Sequence, residues 1–214
     1  MTPARNRVTP YGDLEAIPLR GAFTGNRGIL HEGREIVRFH QHDSWVTCSL
    51  EYKGLRREQW VPHRMTWLFF HDEAVSFAAG HRPCALCRRG DYDRYRAAWA
   101  DAAGSAPSAK EMNRVLHAER IVRGTHRRRL HEAGAADLPD GVFVVLGGAP
   151  HVLTGDAAVA WTLEGYAAAR ARPASVVTVI TPPSTVAALR AGYVPQIGAG
   201  SARWNAEVAA DRTA

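Results

Sequence analysis

An α+β fold is predicted for this chain on three observations. Residues 92–102, and a longer stretch from residue 109, carry apolar side chains at helical spacing. Most of the remainder is short alternating or β-branched runs, broken by turns rich in Gly, Pro and Asn. Between these patterns sits a C-x2-C pair, Cys84 and Cys87, placed just after Gly80 and Pro83 where a helix cannot continue.

The elements follow in order. The first 43 residues are rich in turn formers and read as irregular strands and loops. Residues 44–52 alternate, with Val46, Cys48, Leu50 and Tyr52 on the more apolar face, and Lys53-Gly54 turns them back into 55–61 as a hairpin. Residues 66–70 are β-branched and aromatic, another strand. Asp72 is placed to cap the next helix, since its carboxylate can accept from an early backbone N–H, and Gly80 closes that helix. Gly90-Asp91 starts a second helix with Tyr92, Tyr95, Trp99 and Ala102 on one face. The expected order of an N-terminal module is therefore hairpin, strand, helix, cysteine knuckle, helix.

Residues 104–108, Gly-Ser-Ala-Pro-Ser, are the best linker, dividing the chain into 1–104 and 109–214. A helix is predicted over 109–132, with Arg127, Arg128 and Arg129 near its C-terminal end, where positive charge suits the helix dipole. After the turn Leu138-Pro139-Asp140-Gly141 come strands at 142–146, 151–153, 157–162 and 175–180. Pro182-Pro183 breaks the last of these and leads into a short helix ending at Gly192. The final dozen residues read as a loosely attached tail.

Composition narrows the class. The chain has 214 residues, enough for a core without staples, and 46% are hydrophobic. No apolar run is long enough to span a membrane, and residues 1–20 lack a signal-peptide core. Three cysteines cannot pair completely, which argues for a reducing cytoplasm. The net charge of +6 points to an anionic partner, nucleic acid first. Of 27 basic residues only Lys53 and Lys110 are lysine, a skew that GC-rich coding also produces.

Two thiolates three residues apart can grip one tetrahedral ion, and zinc is the favoured reading of Cys84 and Cys87. A redox pair, which usually opens a helix after a strand, and two ordinary cysteines are the alternatives. The run 68–89, with Phe69-Phe70, an Ala-rich helix, Gly80 and Arg82-Pro83-Cys84-x-x-Cys87-Arg88, resembles the zinc-binding domain of Ada-type DNA-repair methyl acceptors. In that family four cysteines hold the ion and one zinc thiolate accepts a methyl group from a damaged DNA phosphate. The resemblance implies that Cys84 and Cys87 are the second pair of ligands and that Cys48 stands for the first. The family's first pair is C-x3-C, whereas this chain has Ser44 and Tyr52 at those offsets from Cys48. His42, His63, His40 or water is then the fourth ligand, with His71 and His81 less attractive.

Arg82, Arg88 and Arg89 flank the cysteines and are the candidate phosphate contacts. Arg127, Arg128 and Arg129 would extend that track. His117 and Glu119, one helical turn with Arg120, could work as a base and its orienting partner, or form a solvated helix face. No G-x-S-x-G, P-loop, Rossmann glycine pattern or H-E-x-x-H is present. The leading expectation is a zinc-containing protein that interacts with nucleic acid, DNA ahead of RNA, in repair or modification. The alternative is an enzyme with a structural zinc and a separate site at His117 and Glu119, and a plain interaction module comes third.

Overall fold

The computed structural model describes residues 3–55 and 57–198, and the expected tail lies outside them. The fold is α+β, with four α-helices and mostly β structure among the described residues. The N-terminal part contains β1 (Arg7–Val8), β2 (Leu14–Glu15), β3 (Phe23–Asn26), β4 (His31–Glu32), β5 (Glu35–Ile36), β6 (Val46–Ser49), β7 (Leu68–Phe70), α1 (Glu73–Ala78) and β8 (Arg82–Pro83). Next come α2 (Arg89–Ala103), α3 (Ala109–Arg120), β9 (His131–Gly134), β10 (Phe143–Leu146), β11 (Ala149–Thr154), β12 (Ala157–Thr162), β13 (Gly165–Ala171), β14 (Val176–Val179) and α4 (Pro183–Arg190).

Two six-stranded sheets result, ordered β2-β1-β7-β3-β6-β8 and β13-β12-β11-β10-β14-β9, beside the small β4–β5 pair. In the first sheet β3 and β6 are antiparallel, with Gly25 opposite Thr47. A Cβ on Gly25 would stand 2.1 Å from the Val46 carbonyl oxygen, so this close approach of backbones needs glycine. β8 runs parallel to β6, which lays Arg82-Pro83 beside Val46-Thr47 and brings the C-x2-C pair next to Cys48.

The helices carry the signals that define them. Asp72 Oδ1 accepts from Val75 N at 2.8 Å and caps α1, which is buried along its whole length. Ser108 and Glu111 form a reciprocal capping box on α3. Tyr92, Tyr95, Ala98 and Trp99 are the buried face of α2. These rings share one core with Phe77, Met112, Leu116, Val144, Leu153, Val186 and Tyr193, so side chains before and after the 104–108 segment pack together.

Several expectations needed correction. The described residues among 55–61 form no strand, and the partners of β6 are β3 and β8, so the expected hairpin is replaced by long-range pairing. The helix predicted over 109–132 stops at Arg120. A turn through Gly124 (φ +76) follows, Ile121 bridges Arg128, and β9 occupies part of the expected helix. The arginine triplet therefore lies in a loop and not at a helix end. The longest strand, β13, has the sequence Gly-Tyr-Ala-Ala-Ala-Arg-Ala and was not expected.

Candidate metal centre and a basic groove

Cys48, Cys84 and Cys87 converge at the end of the β6–β8 ladder. Their sulfurs all lie within 4.8 Å of one another, a group that could hold a metal ion. A tetrahedral zinc with bonds of about 2.3 Å places its sulfurs roughly 3.8 Å apart, so the cluster is close to that size. Strand pairing fixes one side: Cys84 N donates to Thr47 O at 2.9 Å, and Cys48 sits in β6 beside it. The knuckle fixes the other: Arg88 N donates to Cys84 O at 3.1 Å, and Leu86 N points to Cys84 Sγ at 3.5 Å. Ser49 Oγ donates to Cys87 O at 3.2 Å.

With three thiols this close, one becomes the thiolate that the others donate to. Hydrogen bonds from Cys48 and Cys87, then from backbone amides, hold the Cys84 pKa down to about 2. Hydrogen bonding to Cys84 and Cys87, with burial, pushes Cys48 up. The thiolate is the form that ligates a cation. No His, Asp or Glu among the described residues completes the cluster. His42, one of the expected fourth ligands, lends only its carbonyl to the Trp45 indole, at 2.9 Å. His63 adopts a left-handed turn (φ 61), and His40 belongs to the groove described below.

The candidate phosphate contacts separate into two kinds. Arg88 is 4% exposed, and its Nη2 forms a 2.7 Å ion pair with Glu73 and another with Asp91. Arg82 is also 4% exposed, donating from Nε to Asn113 Oδ1 at 2.8 Å. Arg128 is half-buried, and its guanidinium donates to the carbonyls of Ala78, Ala79, Arg120 and Ile180. These three are structural, turned away from any phosphate outside. Arg89, Arg127 and Arg129 are exposed.

His117 and Glu119 do not form a pair. Glu119 accepts from the Ser184 N–H at 3.0 Å and its hydroxyl at 2.6 Å, holding the first turn of α4. Burial raises its pKa above the usual carboxylate value, and the Ser184 bonds oppose that shift. His117 instead lines a cleft of about 650 Å³ with His40, Arg114, Arg123, His126 and Arg129. The His40 and His117 ring centroids are 5.1 Å apart.

Beneath this groove is a feature sequence reasoning missed. Arg27 and Arg120 are both 0% exposed, and their guanidinium carbons lie 4.0 and 3.8 Å from the centroid of the buried Trp45 ring. Arg27 Nη1 donates to Gly12 O at 2.8 Å, and Arg120 donates to Gly80 O and Asp43 O at 2.8 and 2.7 Å. Burial first, then the neighbouring guanidinium charges, lowers both pKa values well below the usual arginine value. The immediate neighbours of Trp45, Asp43-Ser44 and Val46-Thr47, carry no basic residue that could have signalled this. No family model, curated protein or solved structure matches the chain.

Proposed function

We propose that this is a zinc-containing protein that interacts with nucleic acid, with the metal in a structural role. The convergence of Cys48, Cys84 and Cys87 from a strand and a knuckle carries the reading. Three thiolates place much negative charge on the ion and weaken it as a Lewis acid, which favours holding a fold over activating water. The ion would tie β6 to the knuckle that opens α2. Exposed Arg89, Arg127 and Arg129, together with the net charge of +6, supply contacts for a phosphate backbone, DNA ahead of RNA. Methyl acceptance on the model of the resembling family lacks an accessible sulfur on β6, because Cys48 is 7% exposed.

Metal analysis of gently purified protein is the first test: about one zinc per chain is expected, with Cys84→Ser losing most of it. A sample free of transition metal that is folded and stable rejects the zinc. The second is a salt titration with duplex and single-stranded DNA and with RNA. Replacing Arg89, Arg127 and Arg129 by alanine should flatten the log–log salt slope by roughly two to three phosphate contacts. Absence of binding at low salt to all three polymers rejects the nucleic-acid reading.

A further inference from the structure

We propose that the groove lined by His40, Arg114, His117, Arg123, His126 and Arg129 binds a phosphoryl group, presented by a nucleic-acid strand or by a free nucleotide. Its described lining includes no carboxylate, only arginine, imidazole and small or apolar groups. A cleft of about 650 Å³ matches a small ligand, since such sites run from roughly 300 to 1,000 Å³. Arg114, Arg123 and Arg129 are exposed and present planar forks suited to phosphoryl oxygens.

The second observation lies under the groove wall. Arg27 Nη2 and Arg120 Nε are buried and have no hydrogen-bond partner among the described residues. Neither arginine forms an ion pair with a described carboxylate. Buried charge without a counter-ion is costly, and backbone carbonyls and the Trp45 ring offset only part of that cost. Asp13 and Asp43 are the acids whose fields reach the arginines. An anion in the groove meets the wall formed by His117, whose Nδ1 is 3.1 Å from Arg120 Nη2, and so brings countercharge to that side of the arginine pair.

The third observation is the state of His117. Arg120 Nη2 lies 3.1 Å from His117 Nδ1. A guanidinium can only donate, so Nδ1 accepts and the proton of the neutral ring is on Nε2. His117 is thereby fixed as a donor from Nε2, the role an anion requires. The His40 pKa is lowered by burial first and by the nearby Arg120 and Arg27 guanidinium charges among others, and an arriving anion opposes that repulsion. The inference deepens the nucleic-acid reading by naming the contacted group, and for its polymer ligand it rests on that reading.

The test uses the full chain with inorganic phosphate, adenosine monophosphate and a short oligothymidylate as probes. Histidine imidazole NMR signals are followed by titration, and affinities by calorimetry, for wild type and for Arg114→Ala/Arg123→Ala, whose folding is verified by thermal melting. Phosphate and the mononucleotide should shift the His40, His117 and His126 signals together. The double variant should bind each about tenfold more weakly or worse, as loss of charge-assisted bonds requires. No shift at any of the three histidines, or equal affinity in a folded double variant, overturns the proposal. Oligonucleotide binding that ignores the double variant removes the groove from nucleic-acid contact but leaves the polymer reading with Arg89 and Arg127, which lie outside its lining. Binding of phosphate and mononucleotide without the oligonucleotide keeps the groove and rejects the polymer.

Discussion

Arg88→Met should destabilise the protein by about 3–5 kcal/mol, the usual cost of stranding one partner of a buried ion pair. Glu73 is 0% exposed and Arg88 4%, with nitrogen and oxygen 2.7 Å apart. Without Arg88 the Glu73 carboxylate keeps only the Tyr193 hydroxyl at 2.9 Å and the Gln196 N–H at 2.9 Å. Burial already raises the Glu73 pKa, and Arg88 is the main force opposing that shift. In the variant Glu73 therefore takes up a proton more readily, so the cost shrinks as pH is lowered. Glu73→Gln/Arg88→Met should recover much of the loss, because neither charge is then left alone. Urea unfolding in zinc-containing buffer reads the effect as a shifted midpoint with unchanged slope. An Arg88→Met protein with the wild-type midpoint but weaker oligonucleotide binding would refute the reasoning and return Arg88 to the phosphate contacts.

Two further outcomes are expected. Glu119→Gln should cost about 1 kcal/mol, on the scale of a lost helix cap, by weakening the two bonds to Ser184, and should leave the binding of phosphate in the groove unchanged; a large loss of that binding would place Glu119 in the site after all. His40→Gln should remove part of the acid sensitivity. The His40 pKa is lowered from 6.5 to about 4, by burial first and then by His117, Arg120, His126 and Arg27. Above pH 6.5 both states are neutral there. Between 6.5 and about 4 only the unfolded chain is protonated, so wild-type stability falls with pH in that window and the loss stops below it. The variant should gain on wild type as pH drops from 6.5 to 4, measured by urea midpoints, and a constant difference would contradict this.

The sequence was most legible where local physics decides. Asp72 was read as a cap and is one, because an N-cap needs only its own turn. Strands with β-branched or aromatic runs, such as β7 and β14, were placed within a residue or two. β13 was not, since alanine and arginine carry no strand preference; pairing with the buried β12 imposes its conformation. The end of α3 was misplaced because the segment after Arg120 is rich in arginine, a good helix former. There tertiary contacts of Arg128 with four carbonyls outweigh propensity. Cys48 was found through its strand alternation and the knuckle. The inward turn of Arg82 and Arg88 was not legible, because their partners Asn113 and Glu73 are distant or lie on another element. Nor could charge alone reveal that Arg27 and Arg120 are core residues beside Trp45.

The anchoring of residues 72 and 73 has a consequence for biosynthesis. Asp72 accepts from the Gly198 N–H at 2.8 Å, Glu73 accepts from Gln196, and Tyr193 packs on Phe77 and Tyr95. Three of the partners of these two acids, Tyr193, Gln196 and Gly198, are among the last described residues to be made. A nascent chain halted shortly after Gly104 would carry the cysteine knuckle with its aromatic face bare, Asp72 holding only its bond from Val75 and Glu73 only its pair with Arg88. Capture of a cation by the three thiols needs nothing beyond residue 87, whereas the native packing of α1 waits until residues 193–198 have been made.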